Sequence, residues 1–580
     1  MRASPMVVIA LSALAGCRAK SPAPLLPDEW TLRSVRVDTA RGAAAAMISS
    51  NDSLATLAGL GILERGGNAV DAAVAVGYAL AVTYPEAGNI GGGGFMLIRM
   101  ADGRRAAIDF REVAPLGATR DMYVDAAGDA TDRGRVGHLA SGVPGTVAGL
   151  SAALERHGTM TLADVMQPAI RLASEGFRVD SAMHRSLVSN AGRIMPYAGA
   201  ALFYPNGEPL AEGALLVQPD LARTLRAIAA RGPSGFYSGE VADSLVAEMR
   251  RGGGLITHQD LAGYRPLWRE PLVGTYRGRT LLTMPPSSSG GVTMLETLAI
   301  LEALGPLPPF GSTAWAHRVS EALRRAFLDR NDQLGDPAFV DNPVARLTSE
   351  EYARVLARSI DPARASVSLA LAEARAKARA EGTETTHFSV VDRHGNVVST
   401  TYTINDIWGS GVWVRGAGFF LNDEMDDFSA RPGKPNQFGL VQGERNAIAP
   451  GKRMLSSMTP TIVLDASGAP LLIIGSRGGP RIITSTLLVI SNVIDQGMSL
   501  PDAMAAPRIH HQALPDSLRY EAGGLAQAVL DSLRAMGHAV GPAPWAPGGY
   551  SGRVHAVMRM GDGWIGVVDP RTSGLAKGAE

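Results

Sequence analysis

Two strand-like segments near the middle of the chain carry the residues best suited to nucleophilic chemistry. Residues 385–392 and 396–405 are rich in β-branched and aromatic residues, a composition typical of strands. The link between them ends at Gly395, which can adopt the left-handed conformation that the last position of a three-residue hairpin loop requires. The sequence therefore predicts a β-hairpin over residues 385–405, called the central hairpin below.

The register of the central hairpin brings two hydroxyl groups together. If residues 393–395 form the loop, Thr385 lies opposite Thr403, and such partners have Cβ atoms roughly 4.5–5.5 Å apart. Asn405 lies two residues further on and points to the same side. Thr385 follows a charged, alanine-rich segment, residues 363–384. A hydroxyl residue at a strand start after such a segment is what an N-terminal nucleophile requires, although an ordinary hairpin with threonine on one face has the same pattern.

Two other segments could bind the charges of a small substrate. Arg111 directly follows a predicted strand, 106–110, and a guanidinium there can hold a carboxylate through two hydrogen bonds; a surface salt bridge is the alternative. Residues 422–428 place four acidic residues within five positions, which could bind a metal or a cationic group. They lack the alternating ligands and central glycine of a helix–loop–helix calcium site.

A pair of glycines could stabilise a developing negative charge. Gly478 and Gly479 precede a predicted helix that begins at Ile482. Adjacent glycines at a helix start leave backbone N–H groups accessible, which suits an oxyanion. A tight turn is the structural alternative.

Composition and motif order argue against several classes of protein. Lys and Arg total 55 and Asp and Glu total 55, so the net charge gives no sign of nucleic-acid binding. The glycine-rich residues 88–94 follow a helix and precede a strand, the reverse of a phosphate-binding loop. His510 and His511 point to opposite faces of a strand, with no evident third ligand for zinc. The sequence predicts no metal, no cofactor and no nucleic-acid partner.

The N-terminal residues have the pattern of an export signal. A short apolar run, 6–14, ends at Leu-Ala-Gly-Cys, and it is too short to span a membrane. This ending resembles a bacterial lipobox, which implies that Cys17 is lipidated; a plain secretory signal is the alternative. Cys17 is the only cysteine in the chain. We expect a signal peptide at 1–17 and a flexible tether at 18–34.

Hydrophobic spacing and turn residues predict alternating helices and strands after residue 35. Predicted helices cover 53–64, 68–82, 146–156, 161–176, 220–231, 240–251, 292–304, 314–328 and 350–358, with one more from 482. Predicted strands cover 95–100, 106–110, 416–421, 461–465 and 471–475, with hairpins at 271–284 and 557–568. Residues 429–453 are irregular, as a lid or binding loop would be.

Six motifs, in order, resemble those of the γ-glutamyltranspeptidases, also called glutathione hydrolases. The resemblance covers nearly the whole chain after the tether. The motifs are Gly-Gly-Asn-Ala-Val-Asp-Ala-Ala-Val-Ala from 66, Asp-Phe-Arg-Glu from 109, Thr-Thr-His-Phe-Ser-Val-Val-Asp from 385, Met-Asp-Asp-Phe-Ser from 425, Leu-Ser-Ser-Met from 455, and Gly478-Gly479.

This resemblance implies an α+β fold of the N-terminal nucleophile (Ntn) hydrolase type, with two antiparallel sheets between helical layers (αββα). It also implies that the precursor cuts itself between Glu384 and Thr385. A large subunit, 35–384 with its tether, and a small subunit, 385–580, then form an intertwined heterodimer. The freed α-amine of Thr385 has a pKa of about 8, so it can serve as the base.

The resemblance also implies the roles of individual residues. The catalytic residues are the nucleophile Thr385, its hydrogen-bonding partner Thr403, and the oxyanion pair Gly478 and Gly479. The substrate-binding residues are Arg111, Ser456 and Ser457 for an α-carboxylate, and Asn405, Glu424 and Asp427 for an α-ammonium. Glu424 is glutamine in some relatives, and Phe438 in the predicted lid stands where some relatives have tyrosine.

The leading hypothesis is a γ-glutamyltransferase and glutathione hydrolase that passes a γ-glutamyl group from glutathione or similar compounds to water, an amino acid or a dipeptide. A cephalosporin or glutaryl acylase of the same fold is an alternative enzyme. An unprocessed lipoprotein that binds γ-glutamyl peptides without turnover is a third reading. We expect an exported protein on the periplasmic side, held to a membrane by lipid alone.

Overall fold

Two seven-stranded antiparallel sheets form the centre of the computed structural model, which describes residues 36–39, 46–372, 385–543 and 552–579. Sheet I has the order Arg36–Thr39, Gly563–Val568, Arg553–Met560, Pro470–Arg477, Thr461–Leu464, Arg279–Thr283, Leu272–Tyr276. Sheet II has the order Leu575–Ala579, Ala46–Ser50, Thr386–Val391, Val397–Thr403, Gly93–Arg99, Arg105–Asp109, Leu267–Arg269. Each sheet contains strands from both sides of residue 384, so the two predicted subunits interleave.

The two sheets face each other across an apolar layer, and helices cover their outer faces. Phe95 and Leu97 of sheet II pack with Leu282, Ile473 and Val557 of sheet I in one buried cluster. A second cluster joins sheet II to one helical layer, and a third joins sheet I to the other. This arrangement confirms the predicted αββα architecture, because each sheet buries both of its faces.

The helices fall mostly where their spacing predicts them. The longer ones are Ser53–Glu64, Ala69–Thr83, Thr146–His157, Leu162–Glu175, Ser181–Ile194, Pro219–Arg231, Glu240–Gly252, Gly290–Ala303, Thr313–Gln333, Glu350–Arg358, Arg481–Ile494 and Gln527–Ala535. The shorter ones are Ala200–Phe203, Ser234–Tyr237, His258–Gly263, Val344–Leu347, Ser368–Ala372 and Leu500–Ala505. Small sheets form from Ile509–His510, Leu518–Tyr520 and Val540–Pro542, and from Phe177–Arg178 and Leu215–Leu216. The part of the chain that the structure describes contains no candidate membrane-spanning helix.

The predicted strand at 416–421 is wrong. Gly416 and Gly418 have φ values of 75° and 80°, which turn the chain instead of extending it. A single bridge between Trp413 and Phe420 is the only strand-like pairing recorded in this segment of the described chain. Phe420 packs edge-on against the Trp413 ring, with centroids 4.8 Å apart, so its burial reflects an aromatic cluster, not a sheet.

The central hairpin has the predicted register. Thr386 pairs with Tyr402 and Val391 with Val397, and Gly395 at the loop end has a φ of 85°. The hairpin lies in the middle of sheet II, flanked by Ala46–Ser50 and Gly93–Arg99. Thr385 directly precedes the first strand, so the next pair outward in this register is Thr385 with Thr403.

The hairpin turn is joined to the buried helix Ala69–Thr83. Asp392 accepts hydrogen bonds from the backbone N–H groups of His394 (2.9 Å), Asn396 (3.0 Å) and Ala69 (2.9 Å). The last of these places a carboxylate at a helix N-terminus, where the unpaired N–H groups and the helix dipole favour negative charge. Asp392 therefore fixes both the turn and its position against the helical layer.

We predict that Asp392→Ala lowers the free energy of unfolding by about 3 kcal/mol, because it leaves the buried N–H groups of Ala69 and Asn396 without an acceptor. Thermal or urea unfolding of the purified protein measures this loss. His394→Ala, in the exposed part of the same turn, is the matched control and should change stability little. Equal stability of the two variants would contradict the anchoring role of Asp392.

Candidate active site

The predicted catalytic and binding residues converge on one small cavity. It has a volume of about 20 Å³ and is lined by Arg111, Thr385, Thr403, Asn405, Glu424, Asp427, Phe438, Ser456, Ser457, Met458, Gly479 and Ile482. Every predicted catalytic or substrate-binding residue is in this lining except Gly478, which directly precedes Gly479. Two other predicted sites, the cleavage residue Glu384 and the lipidation site Cys17, lie outside the described residues.

The central hairpin supplies three of these residues. Thr385 is only 5% exposed, although the chain enters the sheet at this point. Thr403 Oγ1 accepts a hydrogen bond from the backbone N–H of Asn405 at 2.7 Å. Asn405 has a φ of 76°, and its side-chain amide donates to the carbonyl of Asp423 at 3.0 Å. The strand thus ends at Thr403, and the next residues bend towards the acidic segment 422–428.

Arg111 is completely buried among carboxyl groups. Its Nη1 lies 2.6 Å from Glu424 Oε2 and 3.5 Å from Glu112 Oε2, and its Nη2 pairs with Asp427. Its backbone carbonyl accepts a hydrogen bond from the Tyr264 hydroxyl at 2.9 Å. Burial opposes the charge of Arg111, but the three carboxylates outweigh burial and raise its pKa further. Arg111 therefore stays cationic.

The acidic residues around Arg111 outnumber the positive charge that pairs with them. Burial raises the pKa of Glu112 to about 8, despite the opposing effect of Arg111. Burial likewise raises the pKa values of Glu424 and Asp427. One guanidinium cannot compensate three buried carboxylates. Burial therefore favours proton uptake by these carboxyl groups, whereas an ammonium group placed beside them would favour their charged forms.

Two serines of the cavity lining, Ser456 and Ser457, accept hydrogen bonds from groups outside the lining or from the backbone. Ser456 Oγ accepts a hydrogen bond from the Met458 N–H at 3.1 Å, and Ser457 Oγ accepts one from Arg330 Nη2 at 3.1 Å. A hydroxyl group has one proton to donate besides the lone pairs that accept. Both hydroxyl groups can therefore donate into the cavity, as carboxylate binding requires.

The glycine pair connects the strand Pro470–Arg477 to the helix Arg481–Ile494. Gly478 and Gly479 have φ values of 127° and 56°. Their carbonyls accept hydrogen bonds from the first N–H groups of the helix, whereas the described residues offer no acceptor to the N–H groups of the glycines themselves. Two unpaired N–H groups beside a nucleophile can stabilise an oxyanion.

Residues 429–453 are largely irregular, contain one short 3-10 helix, Glu444–Asn446, and contribute Phe438 to the cavity lining. Phe438 is buried at 3% exposure, and its carbonyl accepts a hydrogen bond from Gln512 Nε2 at 3.0 Å. The cavity has room for about one water molecule. A larger molecule fits only if lining side chains such as Phe438 shift or the Arg111 ion pairs separate.

Two residues that contact the cavity residues, Glu112 and Arg330, were not predicted from the sequence. Glu112 had a signal, because it follows Arg111 directly in one of the family motifs. Arg330 had none, since it is one of several charged residues on the helix Thr313–Gln333, and only the fold brings it to Ser457. Met458 and Ile482 add the apolar part of the lining.

Another group of potential metal ligands, His317, Glu321 and His538, occurs among the described residues, outside the cavity lining. His317 Nδ1 and His538 Nε2 are hydrogen-bonded at 2.8 Å. Glu321 pairs with two arginines, Arg324 and Arg325. The ligand atoms are thus engaged with protein partners, and two guanidinium groups already neutralise the carboxylate. His510 and His511 are also buried in hydrogen-bonded positions.

Comparisons with known proteins match the chain to one family. The family described as Gamma-glutamyltranspeptidase matches residues 55–579. The chain is 47% identical over 531 residues to the glutathione hydrolase proenzyme of Escherichia coli (strain K12), covering 91% of this chain and 90% of that protein.

Solved structures extend this likeness to the fold. A cephalosporin acylase from Bacillus halodurans superposes with a TM-score of 0.80 at 26% identity, over 96% of this chain and 98% of that one. A chain of the Helicobacter pylori gamma-glutamyltranspeptidase superposes with a TM-score of 0.54 at 42% identity, over 57% of this chain and 94% of that one.

We predict that Gly479→Ala lowers turnover of a γ-glutamyl anilide by at least about 10-fold, because the new Cβ would lie 2.7 Å from the Phe438 ring and would displace the backbone N–H that we expect to bind the oxyanion. Release of the aniline measures the rate. Gly468→Ala is the matched control, since Gly468 also has a positive φ, 83°, but a Cβ there meets no atom within 4 Å. Equal turnover of the two variants would contradict the placement of Gly479 at the reacting centre.

Proposed function

This chain belongs to the gamma-glutamyltranspeptidase family, and we propose that it is a self-processing γ-glutamyltransferase and glutathione hydrolase. The observation that supports this most strongly is the convergence of a strand-initiating threonine, a buried arginine and paired acids, two serine hydroxyl groups and a glycine turn on one cavity. These groups match the reacting carbonyl, the α-carboxylate and the α-ammonium of a γ-glutamyl donor.

The first step is cleavage of the precursor between Glu384 and Thr385. It yields a large subunit that ends at residue 384 and a small subunit, 385–580, whose N-terminal α-amine can act as a base for the neighbouring hydroxyl. Two observations support this proposal. Both sheets contain strands from both parts, so hydrogen bonds between the parts would hold the cut chain together. The Helicobacter pylori chain corresponds to only 57% of this one, as expected if it is one product of a longer precursor.

The donor is held by its two charged groups. We place its α-carboxylate against Arg111 and the hydroxyl groups of Ser456 and Ser457, and its α-ammonium among Asn405, Glu424 and Asp427. The arginine and the two acids pair with each other in this structure. Donor binding therefore exchanges internal ion pairs for ion pairs with the substrate, which limits the net cost of removing charges from water.

Catalysis then proceeds by acyl transfer. The hydroxyl of Thr385 attacks the γ-carbonyl and gives its proton to the α-amine, while the N–H groups of Gly478 and Gly479 bind the oxyanion. The amine passes the proton to the leaving amino group as the amide bond breaks. Water, an amino acid or a dipeptide attacks the γ-glutamyl ester and restores the free threonine. No metal or cofactor takes part in this scheme.

A glutaryl or cephalosporin acylase is the second candidate, supported by the superposition with the Bacillus halodurans acylase. A glutaryl group has a carboxylate but no ammonium. The excess of buried carboxyl groups around Arg111 favours a donor with both charges, so we rank the acylase below the transferase. Comparison of γ-glutamyl and glutaryl anilides decides between them.

We also propose that the protein is exported and lipidated at Cys17, with residues 18–34 as a tether between the membrane and the enzyme. The apolar run 6–14, followed by Leu-Ala-Gly-Cys, supports this proposal. The lipid alone would hold the protein on the periplasmic side. Labelling of the expressed protein with a radioactive fatty acid, and its loss in Cys17→Ala, tests the anchor.

We predict that Thr385→Ala abolishes both processing and activity, because it removes the hydroxyl that both reactions require. Denaturing electrophoresis should show one full-length band, and turnover of a γ-glutamyl anilide should fall by more than about 1,000-fold. Thr385→Ser keeps the hydroxyl and should still give two bands. A two-band Thr385→Ala protein would refute the assignment of the nucleophile and favour another cleavage site. A wild-type protein that stays at full length and inactive would favour the binding lipoprotein.

We predict that Arg111→Lys raises KM for the same donor by at least about 10-fold with a smaller change in kcat, because an ammonium cannot replace the two-pronged guanidinium contact. Steady-state kinetics measures the two constants. Arg104→Lys alters a mostly exposed arginine and is the control. An unchanged KM in Arg111→Lys would remove this arginine from the carboxylate site.

A further inference from the structure

We infer that Arg330 is a positioning residue of the donor's carboxylate site, which it serves by orienting Ser457 and by adding a second buried positive charge behind it. This inference rests on the proposed function and extends the site beyond the residues that the family motifs supply. Arg330 does not line the cavity. It acts through a serine that does.

The surroundings of Arg330 differ from those of several other buried arginines. It is 1% exposed, and its donors reach Ser289 Oγ (2.9 Å), Asn331 Oδ1 (2.9 Å), Gln442 Oε1 (3.4 Å) and Ser457 Oγ (3.1 Å). All four acceptors are neutral. Within the described ranges, no carboxylate oxygen lies within the 4 Å of an ion pair with its guanidinium.

Other buried arginines have the carboxylate partner that Arg330 lacks among the described residues. Arg111, Arg324 and Arg508 each form an ion pair with at least one carboxylate. Burial lowers the pKa of Arg330 to about 10, only partly offset by Asp427, so the group stays charged at neutral pH. A buried charge without a partner is costly. An anionic substrate group one hydroxyl away would reduce that cost.

The hydrogen bond to Ser457 fixes how that hydroxyl can act. Arg330 Nη2 occupies a lone pair of Ser457 Oγ, so the hydroxyl proton must point elsewhere. Among the described residues, none accepts a hydrogen bond from it. The Ser457 hydroxyl can therefore donate its proton to an acceptor in the cavity. In the proposed function, that acceptor is a carboxylate oxygen of the donor.

Arg330 also supports the neighbouring serine through the chain. Its Nε donates to Ser289 Oγ, and the Ser289 hydroxyl donates to the carbonyl of Ser456 at 2.6 Å. The Ser289 N–H donates to the same carbonyl at 2.8 Å. One guanidinium thus holds the backbone at Ser456 and the side chain at Ser457, both of which face the donor.

The inference predicts an effect that depends on the donor's carboxylate. Three anilides separate the charges: γ-glutamyl anilide has both, glutaryl anilide has only the carboxylate, and 4-aminobutyryl anilide has only the ammonium. We expect Arg330→Met to lower kcat/KM by about 10-fold or more for the first two donors, mainly through KM, a loss of about 1.4 kcal/mol or more. The 4-aminobutyryl donor should change by less than about 3-fold. Arg330→Lys, which keeps the charge, should recover part of the loss.

Arg324→Met is the matched control, because Arg324 is buried on the same helix but pairs with Glu321 and Asp516. Any loss from its structural effect should be similar for all three donors. An equal loss for all donors in Arg330→Met, or no loss at all, would overturn the inference. If Arg330→Met does not fold, the same comparison is made with Arg330→Lys, and a donor-independent loss there overturns it. A wild-type enzyme inactive on every anilide would instead refute the proposed function.

Discussion

The hydrogen-bonded register of the central hairpin is the constraint on which the rest of the site depends. A one-residue shift would turn every side chain of a strand to the opposite face. Gly395 closes the loop in a left-handed conformation, and Asp392 ties the turn to the N-terminus of the helix Ala69–Thr83. These contacts at one end of the hairpin determine which residues emerge at the other end. Thr385 and Thr403 therefore meet at the cavity because of interactions many residues away.

Charge balance is the second constraint, and the donor specificity that we propose depends on it. Arg111 lies among three buried carboxyl groups, and burial raises the pKa values of all three. Arg330 donates hydrogen bonds to Ser457 and to three other neutral acceptors. One part of the site thus has an excess of acids, and another has a cation that lacks an anion. In the function that we propose, a zwitterionic donor brings its ammonium group to the acids and its carboxylate towards this cation.

Local sequence patterns predicted much of the fold and of the candidate site. The features that were not predicted depend on packing between residues far apart in the sequence. The hairpin register follows from one loop length, and the helix Ser53–Glu64 from its spacing and the glycines after it. The helix Ser181–Ile194 was missed although Asp180 caps it at Met183, because its buried residues are few. The prediction of a strand at 416–421 was wrong, because it gave the apolar residues of this segment more weight than its two glycines, which turn the chain. The roles of individual site residues came from the family motifs, whereas the contact between Arg330 and Ser457 joins residues 127 positions apart and has no local signature.

The central claim is that the chain severs itself to create an N-terminal threonine that does the chemistry. End-group sequencing of purified, catalytically active protein tests this claim most directly. We predict two polypeptides, of which the smaller begins Thr-Thr-His-Phe, at Thr385. Active material in which no polypeptide begins at that threonine would contradict the account.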